Sequence, residues 1–194
     1  RSQLGIHEDA FVFLMVGNMT PSRQHRLLIT AFAQVIRSCP HCCLVVIGEG
    51  PEKRAVHELS RQLNCGNVHF IDNVPFHQLA RWYAISDAYV HSGCEPYSTA
   101  LAYAAIGGRP IVSTTGVGAA QDYITDGITG YLVEPGTVDN LAKRMLDLSL
   151  HPELTLEMGR RVQAVARRRS TSWSAEQLEA AVVRALEVSS VSKR

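Results

Sequence analysis

The stretch Phe11 to Val16 (FVFLMV) is apolar at every position and stops at Gly17. An unbroken apolar run of that length, closed by a turn residue, predicts a strand buried on both faces. Leu27, Leu28, Ala31, Phe32, Val35 and Ile36 then recur at helical spacing until Pro40, which stops the helix. Residues 44–47 (LVVI) form a second buried strand that runs into Gly48-Glu49-Gly50-Pro51. Val56, Leu59 and Leu63 mark a polar amphipathic helix, and residues 68–71 a short third strand. The alternation continues with helices over 79–86, 99–106 and 119–124, and strands over 88–91, 110–113 and 130–133. Helical patterns over 138–148, 152–169 and 175–188 follow, and the tail 189–194 is expected to fray.

Strands that alternate with helices over short connections predict parallel pairing through right-handed crossovers. The expected architecture is α/β, a Rossmann-like, doubly wound parallel sheet of about six strands flanked by helices. No repeat or low-complexity linker divides the chain, so 1–194 reads as a single domain with C-terminal helices over about 152–188. Ligands of such sheets bind beyond the carboxyl ends of the strands. The loops after Val16, Ile47, Ile71, His91 and Ser113 should therefore share one edge, which gathers Gly17, Gly48, Gly50, Glu95 and Gly116-Val117-Gly118.

Composition narrows the function classes. With 194 residues, 46% hydrophobic and 19% charged, the chain has the makeup of a globular domain, and a net charge of +1 gives no reason to expect nucleic acid as a partner. No apolar run reaches the roughly 18–20 residues that span a bilayer. The start lacks an initiator Met and a signal-peptide pattern, and reads as a fragment. Five cysteines show no framework spacing. Cys39-Pro40-His41-Cys42-Cys43 has no second cluster to complete the about four ligands zinc requires, so it reads as a helix end entering a strand, with reduced thiols in a cytosolic protein.

Candidate chemistry concentrates in Ser92-Gly93-Cys94-Glu95-Pro96-Tyr97-Ser98-Thr99, an acidic turn before a small-residue helix whose first N–H groups would face an anion. Glu95 reads either as a ligand-binding carboxylate or as a helix cap, and Arg23 either as a phosphate contact or as a solvated loop charge. Gly48-Glu49-Gly50 lacks the third glycine of a dinucleotide fingerprint and reads as a turn. Gly116-Val117-Gly118 is a turn that also sits on the binding edge. His91 reads as a buried, satisfied histidine rather than a base. Arg160, Arg161, Arg167, Arg168 and Arg169 form a basic run, read as a solvated helix face with anionic lipid headgroups as the alternative.

In order and spacing, these segments resemble the C-terminal, donor-binding domain of a GT-B glycosyltransferase of the retaining family 4 type. The resemblance runs through 17–24, 46–51, 68–71, 83–90 and 92–97, is especially close over 126–136, and extends to Trp173. It implies a nucleoside-diphosphate sugar as donor, no metal cofactor, and a carbohydrate or lipid-linked acceptor held by a separate N-terminal domain outside this chain. It further implies a cytoplasmic setting, with peripheral contact to a membrane face. Arg23 would take the basic diphosphate position and Glu95 would accept hydrogen bonds from sugar hydroxyls. Gly17 would border the diphosphate, Val74 would contact the base, and Tyr97, Ser98 and Thr99 would offer backbone N–H groups.

Two positions depart from the family's pattern. Asn18 stands where an arginine is usual, and Tyr103 where a second glutamate usually accepts the ribose hydroxyls. A phenol does not reproduce a bidentate acceptor, and loss of one charged hydrogen-bond partner costs about 1.5–3 kcal/mol. A non-catalytic homologue and a GT-B sugar-nucleotide epimerase half are therefore the alternatives. The latter calls for further acid/base carboxylates in an interdomain cleft.

Overall fold

The computed structural model describes residues 1–169. The Trp173 match, the helix expected over 175–188 and the 189–194 tail lie outside the described residues.

Six strands make one parallel sheet: β1 (Phe11–Val16), β2 (Cys42–Ile47), β3 (Val68–Ile71), β4 (Ala88–His91), β5 (Ile111–Thr114) and β6 (Gly130–Val133), in the order β3-β2-β1-β4-β5-β6. Helices α1 (His25–Ser38), α2 (Lys53–Gln62), α3 (Leu79–Ile85), α4 (Thr99–Ile106), α5 (Ala120–Tyr123), α6 (Val138–Leu150) and α7 (Pro152–Arg168) connect and cover it. β2 starts two residues earlier than the apolar run 44–47 suggests. Cys42 and Cys43 pair in register with Phe11 and Val12 and are buried, so small thiols extend the ladder.

Alternate strand residues feed two separate cores, as the period of two requires. Phe13, Met15, Leu44, Val46, Val90 and Val112 pack on one face with Leu28 and Phe32 of α1, Val56 of α2 and Met145 of α6. Val12, Leu14, Val45, Ile47, Tyr89 and Ile111 pack on the other with Tyr83 of α3, Leu101 of α4 and Val162 of α7. Helix α4 buries Ala100, Leu101, Ala102, Ala104 and Ala105, more of its circumference than a surface helix does. Its alanines let the sheet and α7 approach it from two sides.

The chain leaves β1 toward β2 and β3, then returns to place β4 on the other flank of β1. This reversal opens a crevice at the carboxyl ends of β1 and β4, the place where doubly wound sheets bind ligands.

Candidate functional site

Two loops meet at that crevice. The first leaves β1 through Gly17, Asn18 and a short 3-10 turn, Pro21–Arg23, and enters α1 through Gln24 in the left-handed region (φ 51). The second leaves β4 at His91 and runs through Ser92, Gly93, Cys94 and Glu95 to α4. Ser92 Oγ donates to the carbonyls of Arg23 (2.9 Å) or Gln24 (3.1 Å), and the Cys94 N–H donates to Ser22 O (2.7 Å). Gly93 packs so closely on the Ser22–Arg23 backbone that a Cβ there would collide with it. The two loops are thereby fixed to each other, and so are their side chains.

Arg23 folds back over Gly17, whose missing side chain leaves the space that the guanidinium occupies. Its Nη1 donates to Val16 O (3.3 Å) and its Nη2 contacts Glu95 Oε2 at 2.9 Å. The other carboxylate oxygen, Oε1, lies 2.8 Å from His91 Nε2. The Gly93 N–H donates to His91 Nδ1 (3.3 Å), so Nδ1 carries a lone pair and Nε2 carries the proton given to Glu95. Burial alone would raise the Glu95 carboxyl; the His91 hydrogen bond and the Arg23 charge outweigh it and hold Glu95 below the ordinary carboxylate range. Glu95 is therefore an oriented anion at neutral pH.

The backbone of Glu95 is clamped as well. Its N–H donates to Gly116 O (3.2 Å) and its carbonyl accepts from the Gly118 N–H (3.0 Å). The 116–118 loop thus buttresses the Glu95 turn. Ser98, which precedes α4, is buried, and its Oγ has no hydrogen-bond partner. Tyr97 is exposed beside it.

A cavity of about 300 Å³ opens between the loops. Gly17, Asn18 and Arg23 form one wall, Thr99 and Tyr103 of α4 a second, and Phe76, Leu79 and Tyr83 a third. The structure thus brings Gly17, Asn18, Arg23, Thr99 and Tyr103 together around one space, with Glu95 reaching it through Arg23. Val74 is not in that wall: it packs, partly buried, against the sheet-face core, and Phe76, two residues on, takes the place at the cavity.

Sequence reasoning passed over two residues here. His25, the first residue of α1, is fully buried with neither ring nitrogen hydrogen-bonded. Burial, then the Arg23 charge and the neighbouring His91 ring, push its pKa down to about 4. Nothing in the local sequence marks it, because its surroundings come from β4 and the β1 loop. Phe76 was signalled only by being an aromatic residue in the loop after β3. His91 is buried and satisfied as expected, and its partner is Glu95.

Elsewhere, Arg160 and Arg161 pair with Glu157 (3.9 and 2.9 Å) and Arg169 with Asp122 (2.7 Å), as suits a solvated helix face. Among the described residues, no group of three or more His, Cys, Asp or Glu side chains is placed to hold a metal ion. No described helix is long and apolar enough to cross a membrane.

Comparison with known proteins places this architecture. The chain is 33% identical over 173 residues to a D-inositol 3-phosphate glycosyltransferase of Kribbella flavida, covering 82% of this chain and 40% of the relative. It is 27% identical to N-acetyl-alpha-D-glucosaminyl L-malate synthase of Bacillus anthracis, covering 84% of this chain and 42% of the relative. Its fold matches Anabaena Alr3699/HepE in complex with UDP-glucose at a TM-score of 0.82, with 22% identity over 95% of this chain and 51% of that one. It also matches S. aureus TarM, in a complex containing UDP, at a TM-score of 0.81, with 20% identity over 87% of this chain and 34% of that one. The chain spans 40% of the length of that Kribbella flavida relative and 45% of the length of a D-inositol 3-phosphate glycosyltransferase of Frankia alni. The model of the family described as glycosyl transferases group 1 matches residues 1–165, and the chain belongs to that family.

Proposed function

We propose that this chain is the donor-binding part of a retaining hexosyltransferase of the family 4 type, holding a nucleoside-diphosphate sugar at the β1–β4 crevice. One observation carries the reading: Arg23 and Glu95 meet at 2.9 Å at the sheet's switch point, beside Gly17 and the first turn of α4. A guanidinium has five N–H donors in a planar fork, and Arg23 spends them only in part on Val16 O and Glu95. The remainder face the cavity side, where a diphosphate would be neutralised together with the free N–H groups that open α4. Glu95 would accept sugar hydroxyls through its uncommitted lone pairs. Transfer would then rest on positioning and on stabilising the diphosphate leaving group, with no metal needed. The UDP and UDP-glucose complexes of the fold relatives support this reading.

The acceptor, a carbohydrate or lipid-linked molecule, would be brought by a further domain, so this chain alone binds donor without turning it over. Its setting would be the cytoplasm, at the face of a membrane. Calorimetric titration with UDP-, GDP- and ADP-sugars tests the donor site. Saturable binding to one of them, weakened about tenfold or more by Arg23→Ala and by Glu95→Ala, is expected. No binding of any of the three at millimolar concentration would overturn the reading. Asn18 and Tyr103, standing where the resemblance calls for an arginine and a glutamate, carry a second reading in which the protein binds the donor weakly and does not transfer it. Sugar transfer by the full-length protein decides between the two.

A further inference from the structure

Phe76 is 69% exposed, more than any other large apolar side chain among the described residues. It stands on the short turn Phe76–Gln78 after the β3 loop, at the wall of the cavity that holds Arg23. It is not loosely placed. Its ring meets Tyr103 edge-on, with centroids 5.4 Å apart and planes at 64°. Tyr103 in turn meets Tyr83 edge-on at 6.5 Å, and the Tyr83 hydroxyl donates to Ala100 O at 2.9 Å. A row of three rings thus runs outward from the buried start of α4 to solvent. Edge-on contact props a ring at its side and leaves its face free.

The row also divides two spaces. Phe76, Leu79, Tyr83 and Tyr103 line both the cavity with Arg23 and a neighbouring apolar cavity of about 370 Å³. A ligand anchored by an anionic group at Arg23 therefore reaches an aromatic surface next. A nucleoside diphosphate has that order of parts, with charge at one end and a flat π-system at the other. An acyl chain would fill the apolar cavity but has no reason to be anchored at a guanidinium.

Resting on the donor-site reading above, we infer that Phe76 is a stacking platform for the nucleobase, and Tyr103 the buttress that holds it upright. Tyr103 would then serve the nucleoside through Phe76, in place of a carboxylate on the ribose. Stacking recognises a π-face rather than a pattern of donors and acceptors, so it adds affinity for the nucleoside without selecting one base.

The test compares UDP with inorganic pyrophosphate as ligands, by calorimetry, for the wild-type chain, Phe76→Ala, Phe76→Trp, Tyr103→Phe, Tyr103→Ala and Arg23→Ala. Phe76→Ala should weaken UDP about fivefold to a hundredfold and leave pyrophosphate within about twofold. Phe76→Trp and Tyr103→Phe should retain UDP, whereas Tyr103→Ala should lose affinity as Phe76→Ala does. The uracil H5 and H6 resonances should shift upfield on binding to wild type and lose that shift with Phe76→Ala. UDP affinity unchanged in Phe76→Ala, while Arg23→Ala still weakens it, would overturn the platform and leave the donor site standing. UDP binding that is absent in wild type, or indifferent to Arg23→Ala, would overturn both.

Discussion

His25 permits a quantitative prediction, because its ring is buried, unpaired and adjacent to Arg23. It is 0% exposed, and burial, then Arg23 and His91, lower its pKa from 6.5 to about 4. The unfolded chain takes up a proton near pH 6.5, whereas the folded chain resists until about pH 4. Where the unfolded state binds more protons, stability rises with pH. Stability is thus complete above pH 6.5, is lost as the pH falls from 6.5 toward 4, and changes no further through this residue below that. At about 1.36 kcal/mol per pH unit, the loss attributable to His25 reaches about 3 kcal/mol at pH 4. That is a sizeable part of the 5–15 kcal/mol typical of a whole domain.

The perturbation is His25→Leu, which removes both unpartnered nitrogens and the titration. Urea unfolding followed by fluorescence at pH 7.5, 6, 5 and 4 measures it. At pH 7.5 the variant should equal or exceed wild type by up to about 2 kcal/mol, because a buried unpaired polar group has been removed. The advantage should then grow as the pH falls, by about 3 kcal/mol at pH 4. Burial also lowers the pKa values of His57 and His69, and Glu95 is held low, but these groups are common to both chains and cancel in the difference. A difference that stays flat from pH 7.5 to 4 would refute the buried, neutral His25 described above.

Further predictions concern the scaffold around the site and a control position away from it. A Cβ on Gly93 would collide with the Ser22–Arg23 backbone, so Gly93→Ala should lower stability by about 1–3 kcal/mol and weaken UDP binding. Gly66→Ala, which meets open space, should leave UDP binding unchanged, with urea midpoints and titrations as the readout. Tyr83→Phe deletes the buried bond from its hydroxyl to Ala100 O, at a cost of about 0.5–1.5 kcal/mol in the same unfolding assay. Asp87 accepts two bonds from Arg1 (3.0 and 2.9 Å) and one from the Val12 N–H (2.7 Å), tying the chain's start to β1 and β4. Asp87→Ala should cost about 1–3 kcal/mol, read as a lower urea midpoint at unchanged slope.

Strand β1 was legible because a strand buried on both faces is written as a continuous apolar run; the half-buried edge strand β3, together with β4 and β6, falls at the shorter strand patterns between helices. The β2 boundary was missed because cysteine is small and carries no strand signal of its own; its burial against Phe11 and Val12 is a tertiary fact. At the crevice, Arg23 and Glu95 were identifiable as separate residues through resemblance. Their contact was not, since it depends on Gly17 leaving room for the guanidinium and on Gly93 bringing the two loops together. Val74 was named as a base contact through resemblance; its side chain packs against the sheet-face core while Phe76, two residues on, lines the cavity, and no local pattern encodes that rotation.

The Arg23–Glu95 pair sets the electrostatics of the whole site. Lysine at this position would offer a point charge, which either the carboxylate or a phosphate takes; arginine's planar fork keeps Glu95 on Nη2 and still presents N–H groups elsewhere. A diphosphate bound here would therefore have no need to break the pair, and Glu95, held from its other side by His91, would stay oriented for hydroxyl donors. The arrangement has a cost in charge. Asn18 adds no cation to the wall it shares with Arg23, and Glu95 offsets much of the Arg23 charge. On the donor-site reading, the long-range attraction for a dianionic diphosphate would then be weak, and affinity would come from short-range contributions: the N–H groups at the start of α4 and the exposed ring face of Phe76. Binding at this crevice should accordingly depend less on ionic strength than a site with two unpaired cations would, while remaining sensitive to the loss of a single aromatic ring.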